Sequence, residues 1–244
     1  MHSLMRRLTL IAICSLLTAL LACGGSGSEL ETEGGIRSEG LAAHMQEHFT
    51  QAKAIQEAVI DGDLEGLKTA AEWLASHEAA EGLPDGWEPY ITEMQSAARR
   101  ALEATDVNVA ALAAATIAEN CGSCHLAVGA RPLLVLGSEV PQDPATVPHM
   151  LGHLWGADRM WEGLIVPSDV SWANGVAPLA GDPLQPESLS DHAEYADDLR
   201  ALAIRVHELA AAGRDAEGQE ARATIYGEFI ATCAECHQML GIGG

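Results

Sequence analysis

Two copies of a Cys-x-x-Cys-His motif are the residues of this chain best suited to chemistry. The first copy, "CGSCH", ends at His125, and the second, "CAECH", ends at His237, only seven residues before the end of the sequence. Covalent attachment of c-type haem needs two thiols for the thioether bonds and an adjacent histidine for the iron. We therefore expect two haem c groups, attached through Cys121, Cys124, Cys233 and Cys236, with His125 and His237 as the proximal iron ligands.

Two other uses of these cysteines are conceivable, namely redox pairs and zinc ligands. A thioredoxin-like pair requires a βαβ context, which the sequence lacks. A zinc site requires four converging ligands, whereas each motif offers three in one tight turn. The remaining cysteines, Cys14 and Cys23, lie near the start of the chain, so none is left for a structural disulfide.

The N-terminus has the pattern of an export signal. Arg6 and Arg7 precede an apolar stretch too short for a comfortable membrane span, and "LLAC" ends at Cys23. This pattern predicts a lipoprotein signal peptide at residues 1–22, with Cys23 as the lipid-attachment residue. Gly24 follows where an inner-membrane retention signal usually has Asp, which favours a periplasm-facing anchor in the outer membrane over the inner one. An ordinary cleaved signal and an uncleaved anchor remain alternatives.

The rest of the sequence predicts an all-α fold. Alanine dominates the apolar residues and β-branched residues are sparse, which favours helix over strand. Residues 24–38 are rich in Gly, Ser and Glu, and predict a flexible tether.

A long internal repeat indicates a tandem duplication. "HMQEHF", which starts at His44, recurs as "HMLGHL", which starts at His149, an offset of 105 residues; the offset is 112 at the two motifs. The predicted organisation is a signal peptide at 1–22, a tether at 23–38, a first domain at 39–130, a linker at 131–145 and a second domain at 146–244.

Each repeat predicts four helices. In the first they cover about 39–60, 64–79, 87–104 and 107–125, with Asp63 and Asp106 as N-caps. In the second repeat the first, third and fourth helices cover about 146–165, 189–212 and 216–238. The second helix of this repeat opens at Ser168. In an antiparallel four-helix bundle the end of the fourth helix lies beside the start of the first. A haem attached at that end is therefore enclosed by helices that precede the motif in the sequence.

With these features the sequence resembles class II cytochromes c, the cytochrome c-prime family and its low-spin relatives. The resemblance rests on a motif near the end of the fourth helix of each repeat and on "MQEHF", "GDLEGLK" and "LPDGW" in the first. It implies two tandem four-helix bundles, each with one covalent haem, and places the residue over the free face of the iron early in the first helix. The chain departs from the family in having two domains and few basic residues after the motif histidines.

The distal iron ligands stay open between histidine and methionine. At 100° per residue, His48 lies in the middle of an apolar stripe formed by Leu41, Ala52, Ile55 and Val59, and His153 occupies the same place in the second repeat. A histidine there needs a partner for its ring nitrogens, and iron is one. The resemblance favours Met45 and Met150 in low-spin relatives, or no ligand in gas-binding ones. His77, His192 and His207 lie among charged residues and are expected to face solvent.

The charge and the motifs together predict an electron carrier that is not an enzyme. The formal charge of −22 becomes −24 without Arg6 and Arg7, which disfavours nucleic acid and favours basic redox partners. Two alternatives remain: a haem protein whose open iron binds nitric oxide, carbon monoxide or peroxide, and an accessory subunit of a respiratory or photosynthetic complex.

Overall fold

The described part of the chain is entirely helical. The computed structural model describes residues 30–79, 83, 86–134, 146–181 and 195–242, and these form eight α-helices and no β-strand. The expectation of an all-α fold is therefore confirmed. The helices are α1 (Leu30–Ile60), α2 (Lys68–Ser76), α3 (Glu88–Leu102), α4 (Val107–Val128), α5 (Thr146–Ile165), α6 (Asp169–Leu179), α7 (Ala196–Arg214) and α8 (Gln219–Leu240).

Several helix ends follow from local sequence chemistry. The carboxylate of Asp106 accepts a hydrogen bond from the backbone N–H of Val109 at 3.0 Å, and the Ser168 hydroxyl accepts one from Ser171 at 3.1 Å. Asp106 is an N-cap that the sequence predicts, and Ser168 is the residue at which the sequence predicts that a helix opens. Helices α4 and α8 end at Gly129 and Gly241, whose positive φ angles of 68° and 65° stop a helix at little cost.

Two boundaries differ from the sequence-based prediction. Helix α1 begins at Leu30, so the last part of the predicted tether is helical, in keeping with the helix-forming Leu30, Glu31 and Glu33. Asp63 caps a turn rather than a helix, because its carboxylate accepts hydrogen bonds from the backbone N–H groups of Glu65 and Gly66. Helix α2 consequently starts later, at Lys68.

Consecutive helices pack on one another along the chain. Helix α2 packs on α3 and α3 on α4, while α5 packs on α6, α6 on α7 and α7 on α8. Helices α4 and α5 also contact α8, and one hydrophobic cluster contains residues from both sets of four helices, such as Ile55 and Met160. The described residues from His44 onward therefore share one core.

The two motif-bearing helices, α4 and α8, run antiparallel. Asn108 at the start of α4 donates to Glu235 near the end of α8, and a Cβ placed on Gly122 near the end of α4 would meet Gln219 at the start of α8. Since α4 and α8 carry their motifs in their last turns, the two motifs lie at opposite ends of this helix pair.

Positions that correspond in the two repeats meet each other. Lys53 corresponds to Asp158, and the two form a salt bridge of 2.6 Å. Ala115 corresponds to Gly227, and a Cβ on this glycine would lie 3.4 Å from the Cβ of Ala115. Self-matching of this kind is the signature of a two-fold interface, so these two contacts point to an approximate two-fold axis between the two repeats.

Several predicted features lie outside the described residues. They are the signal peptide at 1–22 with Cys23, most of the 131–145 linker, and His192. Of the helices in the described ranges, none combines the length and the apolarity that crossing a membrane requires.

Candidate metal and cofactor sites

Each Cys-x-x-Cys-His motif occupies the end of a long helix. On α4, Cys121, Cys124 and His125 stand three and four residues apart and therefore share one face, and α8 presents its motif in the same way. All four motif cysteines are half-buried free thiols. The two thiols and the imidazole that covalent haem requires thus converge on one side of each helix.

The motif thiols are poor thiolates. Burial, followed by the neighbouring thiol, raises the pKa of Cys121 and that of Cys233 to about 12. Burial also raises the pKa of Cys124 and Cys236. Catalytic redox cysteines have a lowered pKa, because the thiolate is the nucleophile. The thiols of these motifs therefore lack the electrostatic surroundings of a thioredoxin-like pair.

The ring of His125 is oriented by the end of α5. Its Nδ1 lies 2.6 Å from the backbone oxygen of Ile165. A carbonyl oxygen only accepts, so Nδ1 must carry a proton and donate it. This hydrogen bond leaves Nε2 as the ring nitrogen that can bind a metal, which is the usual arrangement of a metal-binding histidine.

A first histidine cluster, His44, His48 and His77, joins α1 to the end of α2. One ring nitrogen from each residue lies within 4.8 Å of the others. The indole of Trp73 stacks on the ring of His77 with centroids 3.7 Å apart. Burial, followed by the neighbouring His44 and His77, lowers the pKa of His48 to about 4. The ring of His48 is therefore neutral at physiological pH and keeps a lone pair.

A second histidine cluster, His149, His153 and His207, joins α5 to α7. Its ring nitrogens also lie within 4.8 Å of one another. Burial lowers the pKa of His153 to about 3, followed by the effects of His149, His207 and His237. The proximal-ligand candidate His237 thus lies in the region of the second cluster.

Some ring nitrogens in this region have no partner among the described residues. They include Nδ1 of His237 and Nε2 of His153, both buried. A buried polar atom without a hydrogen bond is costly unless a metal or another group binds it. A haem attached to Cys233 and Cys236 would bring an iron that could bind such ring nitrogens. The residues present are therefore compatible with the cofactor that the motif predicts.

The alternative ligands Met45 and Met150 are half-buried. Each directly follows a cluster histidine in the sequence, so methionine ligation stays an alternative to His48 and His153.

The sequence-based expectation for His77 and His207 is wrong. Both are half-buried members of the clusters rather than solvent-facing. They come from different places in the repeats, since His77 directly follows α2 whereas His207 lies within α7. No periodicity of α1 or α5 identifies them, because only the packing of a second helix brings them to the histidine pairs.

A groove between α7 and α8 faces away from the second motif. Its volume is about 710 Å³, and it is lined by Tyr195, Asp198, Ala201 and Leu202 of α7 and by Glu235, Gln238 and Met239 of α8. At 100° per residue these α8 positions lie on the side of the helix away from Cys233, Cys236 and His237. This groove is therefore not the candidate haem site.

Comparisons with known proteins identify no relative. The chain matches no protein-family model, no curated protein and no solved structure.

Proposed function

We propose that this protein is a lipid-anchored dihaem c-type cytochrome that transfers single electrons between redox proteins. The observation that supports it most is the pair of Cys-x-x-Cys-His motifs, each displayed on one face at the end of a long helix. Bound haem iron would supply the chemistry by alternating between its ferric and ferrous states. The chain's own residues would attach, orient and shield the two groups.

The proposed organisation follows the repeat. Residues 39–130 and 146–244 would each form a class II four-helix bundle with one haem, after a signal peptide at 1–22. Lipid at Cys23 would hold the protein on the periplasmic side of a membrane, more readily the outer than the inner one. The strong negative charge would steer basic redox partners toward it.

Two observations support histidine ligation of the iron. The hydrogen bond from His125 to Ile165 leaves Nε2 of His125 available to the first iron. The buried Nε2 of His153 has no partner among the described residues and His237 acts on this ring, which favours His153 as the distal ligand of the second iron. Two histidine ligands leave no open position, which favours electron transfer over binding of a small molecule.

The antiparallel α4 and α8 separate the two attachment sites. From the contact of Ala115 with Gly227, each motif histidine lies ten residues further along its own helix in opposite directions. At 1.5 Å per residue the two histidines are about 30 Å apart along the helix pair. Each haem would thus be reached by a redox partner at its own end of the molecule.

The decisive test is to count covalent haems. The full chain, produced in a host that carries out c-type haem attachment, should show the mass of two haems by intact-protein mass spectrometry. Replacing Cys121 and Cys124 with serine should remove one haem, and replacing Cys233 and Cys236 should remove the other. A wild-type chain without covalent haem would overturn the proposal.

Optical and electron paramagnetic spectra then test the carrier role. Two low-spin haems that do not bind carbon monoxide are expected. His153→Ala should convert one of the two haems to a high-spin form. A five-coordinate, high-spin signal in the wild-type protein would contradict a role limited to electron transfer. It would support the alternative in which an open iron position binds a small molecule.

A further inference from the structure

The first histidine cluster differs from the second in its surroundings. The groups that lower the pKa of His48 are burial, His44 and His77, whereas His237 also acts on His153. The ring of His125 instead contacts the end of α5 through Ile165. The first cluster is therefore a set of three imidazoles that interact with one another.

The geometry of the first cluster is that of a three-ligand site. His44 and His48 stand one turn apart on the same face of α1, and the centroids of their rings are 4.4 Å apart. His77 completes the triangle, with its centroid 5.0 Å from each of the other two. Ring nitrogens within 4.8 Å of one another need only a small inward movement to reach a common ion at about 2.0–2.1 Å.

Two ring nitrogens of this cluster lack partners in the described residues. Nε2 of His44 and Nε2 of His48 are both buried there without a hydrogen bond. A single haem iron accepts one of these rings and leaves the other unsatisfied. One cation between the three rings satisfies them together, which removes the cost of burying them.

The surrounding residues hold His77 in place. The stacked Trp73 fixes the plane of its ring, and Nε2 of Gln95 donates to its backbone oxygen at 2.8 Å. Such outer contacts orient the ligands of metal sites and contribute to their affinity. Because Gln95 belongs to α3, the cluster contacts three helices: α1, the end of α2 and α3.

We propose that the first histidine cluster binds one divalent transition-metal ion, distinct from haem iron, through His44, His48 and His77. Imidazole ligands suit zinc, copper and nickel ions, and three histidines with an open fourth position are a familiar zinc arrangement. The affinity arises from this chain's own side chains and does not depend on haem attachment.

Zinc ion is the probe. The full-length protein as purified is dialysed to equilibrium against buffered Zn²⁺, and bound zinc is measured by inductively coupled plasma mass spectrometry. One zinc ion per chain should be lost, or bound at least about 100-fold more weakly, in His77→Ala. His207→Ala, which changes the third histidine of the second cluster, is the matched control and should retain that ion.

A second variant separates loss of a ligand from loss of the fold. His77→Gln preserves most of the side-chain volume against Trp73 and should also lose the ion while keeping the helical circular dichroism of the wild type. Zinc binding that is absent in the wild type, unaffected by both His77 variants, or equally reduced by His207→Ala would overturn the proposal.

The haem spectrum gives a further readout. With zinc on His48, the first haem takes the alternative distal ligand, Met45, so His48→Ala should abolish zinc binding and leave the spin state of both haems unchanged. If it converts a haem to high spin, His48 is an iron ligand and the zinc proposal fails. A chain without covalent haem that still binds zinc through His77 would instead refute the proposed function and leave this inference intact.

Discussion

The two repeats carry histidines at matching positions but place them in different surroundings. In the first repeat, His44 and His48 meet His77 from the end of α2. In the second, His149 and His153 meet His207 from α7 and also lie near His237. The duplication therefore preserved a pair of histidines on the first helix, while the third came from a different helix in each copy. Similar histidine sets were thus completed by different helices.

The cores of the two repeats differ as well. Position 56 in the first repeat is a buried glutamine, and the corresponding position in the second is Trp161, which contacts Tyr226. Gln56 donates a hydrogen bond to the hydroxyl of Tyr226 at 2.7 Å, so both of these unlike residues contact Tyr226. The interface has become asymmetric, with an aromatic cluster on one side and an amide on the other.

Among single substitutions compared at neutral pH, the largest loss of stability is expected at Gly122, in the first motif. A Cβ at this position would lie 2.1 Å from the backbone oxygen of Leu164 and 2.4 Å from Nε2 of Gln219. Gly122→Ala should therefore push α4 away from α5 and α8 and lower the free energy of unfolding by about 3 kcal/mol. Urea denaturation followed by circular dichroism measures it.

The corresponding residue in the second motif is the matched control. Ala234 already carries a Cβ, so Ala234→Gly should lower the free energy of unfolding by only about 1 kcal/mol. Equal effects of the two substitutions would show that the ends of α4 and α8 are not packed differently.

The next effect is the loss of stability in acid caused by the buried histidines. His48 and His153 have pKa values of about 4 and about 3 in the folded protein, below the value of 6.5 from which they are lowered. The unfolded chain therefore binds more protons below pH 6.5, so each histidine reduces the free energy of unfolding as the pH falls. The slope is up to about 1.4 kcal/mol per pH unit and per histidine.

Substituting each histidine separately distinguishes the two contributions to the loss of stability in acid. His48→Gln should gain on the wild type in relative stability as the pH falls from 6.5 to about 4, and His153→Gln should continue to gain down to about 3. Denaturation curves at several pH values, compared variant against wild type, measure this. Relative stabilities that do not change with pH would show that neither ring is buried in its neutral form.

The positions of the helices could be predicted from the sequence more completely than the histidine clusters. The repeat, the alanine content and the caps at Asp106 and Ser168 depend on neighbouring residues, and the structure contains the corresponding helices. The histidine pairs of α1 and α5 could also be found, because helical spacing places them on one face. His77 and His207 could not, because their proximity to those pairs depends on how other helices pack.

A third effect concerns the salt bridge across the approximate two-fold axis. Lys53 and Asp158 are each about four-fifths buried, and Nζ of Lys53 also donates to Oε1 of Gln56 at 2.6 Å. Lys53→Asp or Asp158→Lys alone would place like charges together and should lower the free energy of unfolding by about 2 kcal/mol.

The double exchange tests the symmetry directly. Because the two positions correspond, Lys53→Asp combined with Asp158→Lys should recover most of the loss, and a double-mutant cycle gives the coupling energy. A double variant as unstable as the sum of the single ones would show that Gln56 and its neighbours have made the two sides unequal.

The smallest effect on the free energy of unfolding is expected at two corresponding turn residues, Asp63 and Ser168. The carboxylate of Asp63 accepts two backbone N–H groups in a turn, whereas the hydroxyl of Ser168 accepts one at the start of α6. Asp63→Ala should lower the free energy of unfolding by about 1 kcal/mol, and Ser168→Ala by about 0.5 kcal/mol. Asp63→Asn should lie between wild type and Asp63→Ala at pH 7, because it keeps an acceptor but loses the charge. If Ser168→Ala is the more damaging change, the direct cap of α6 outweighs the charged turn before α2, and the two repeats differ here in the opposite sense.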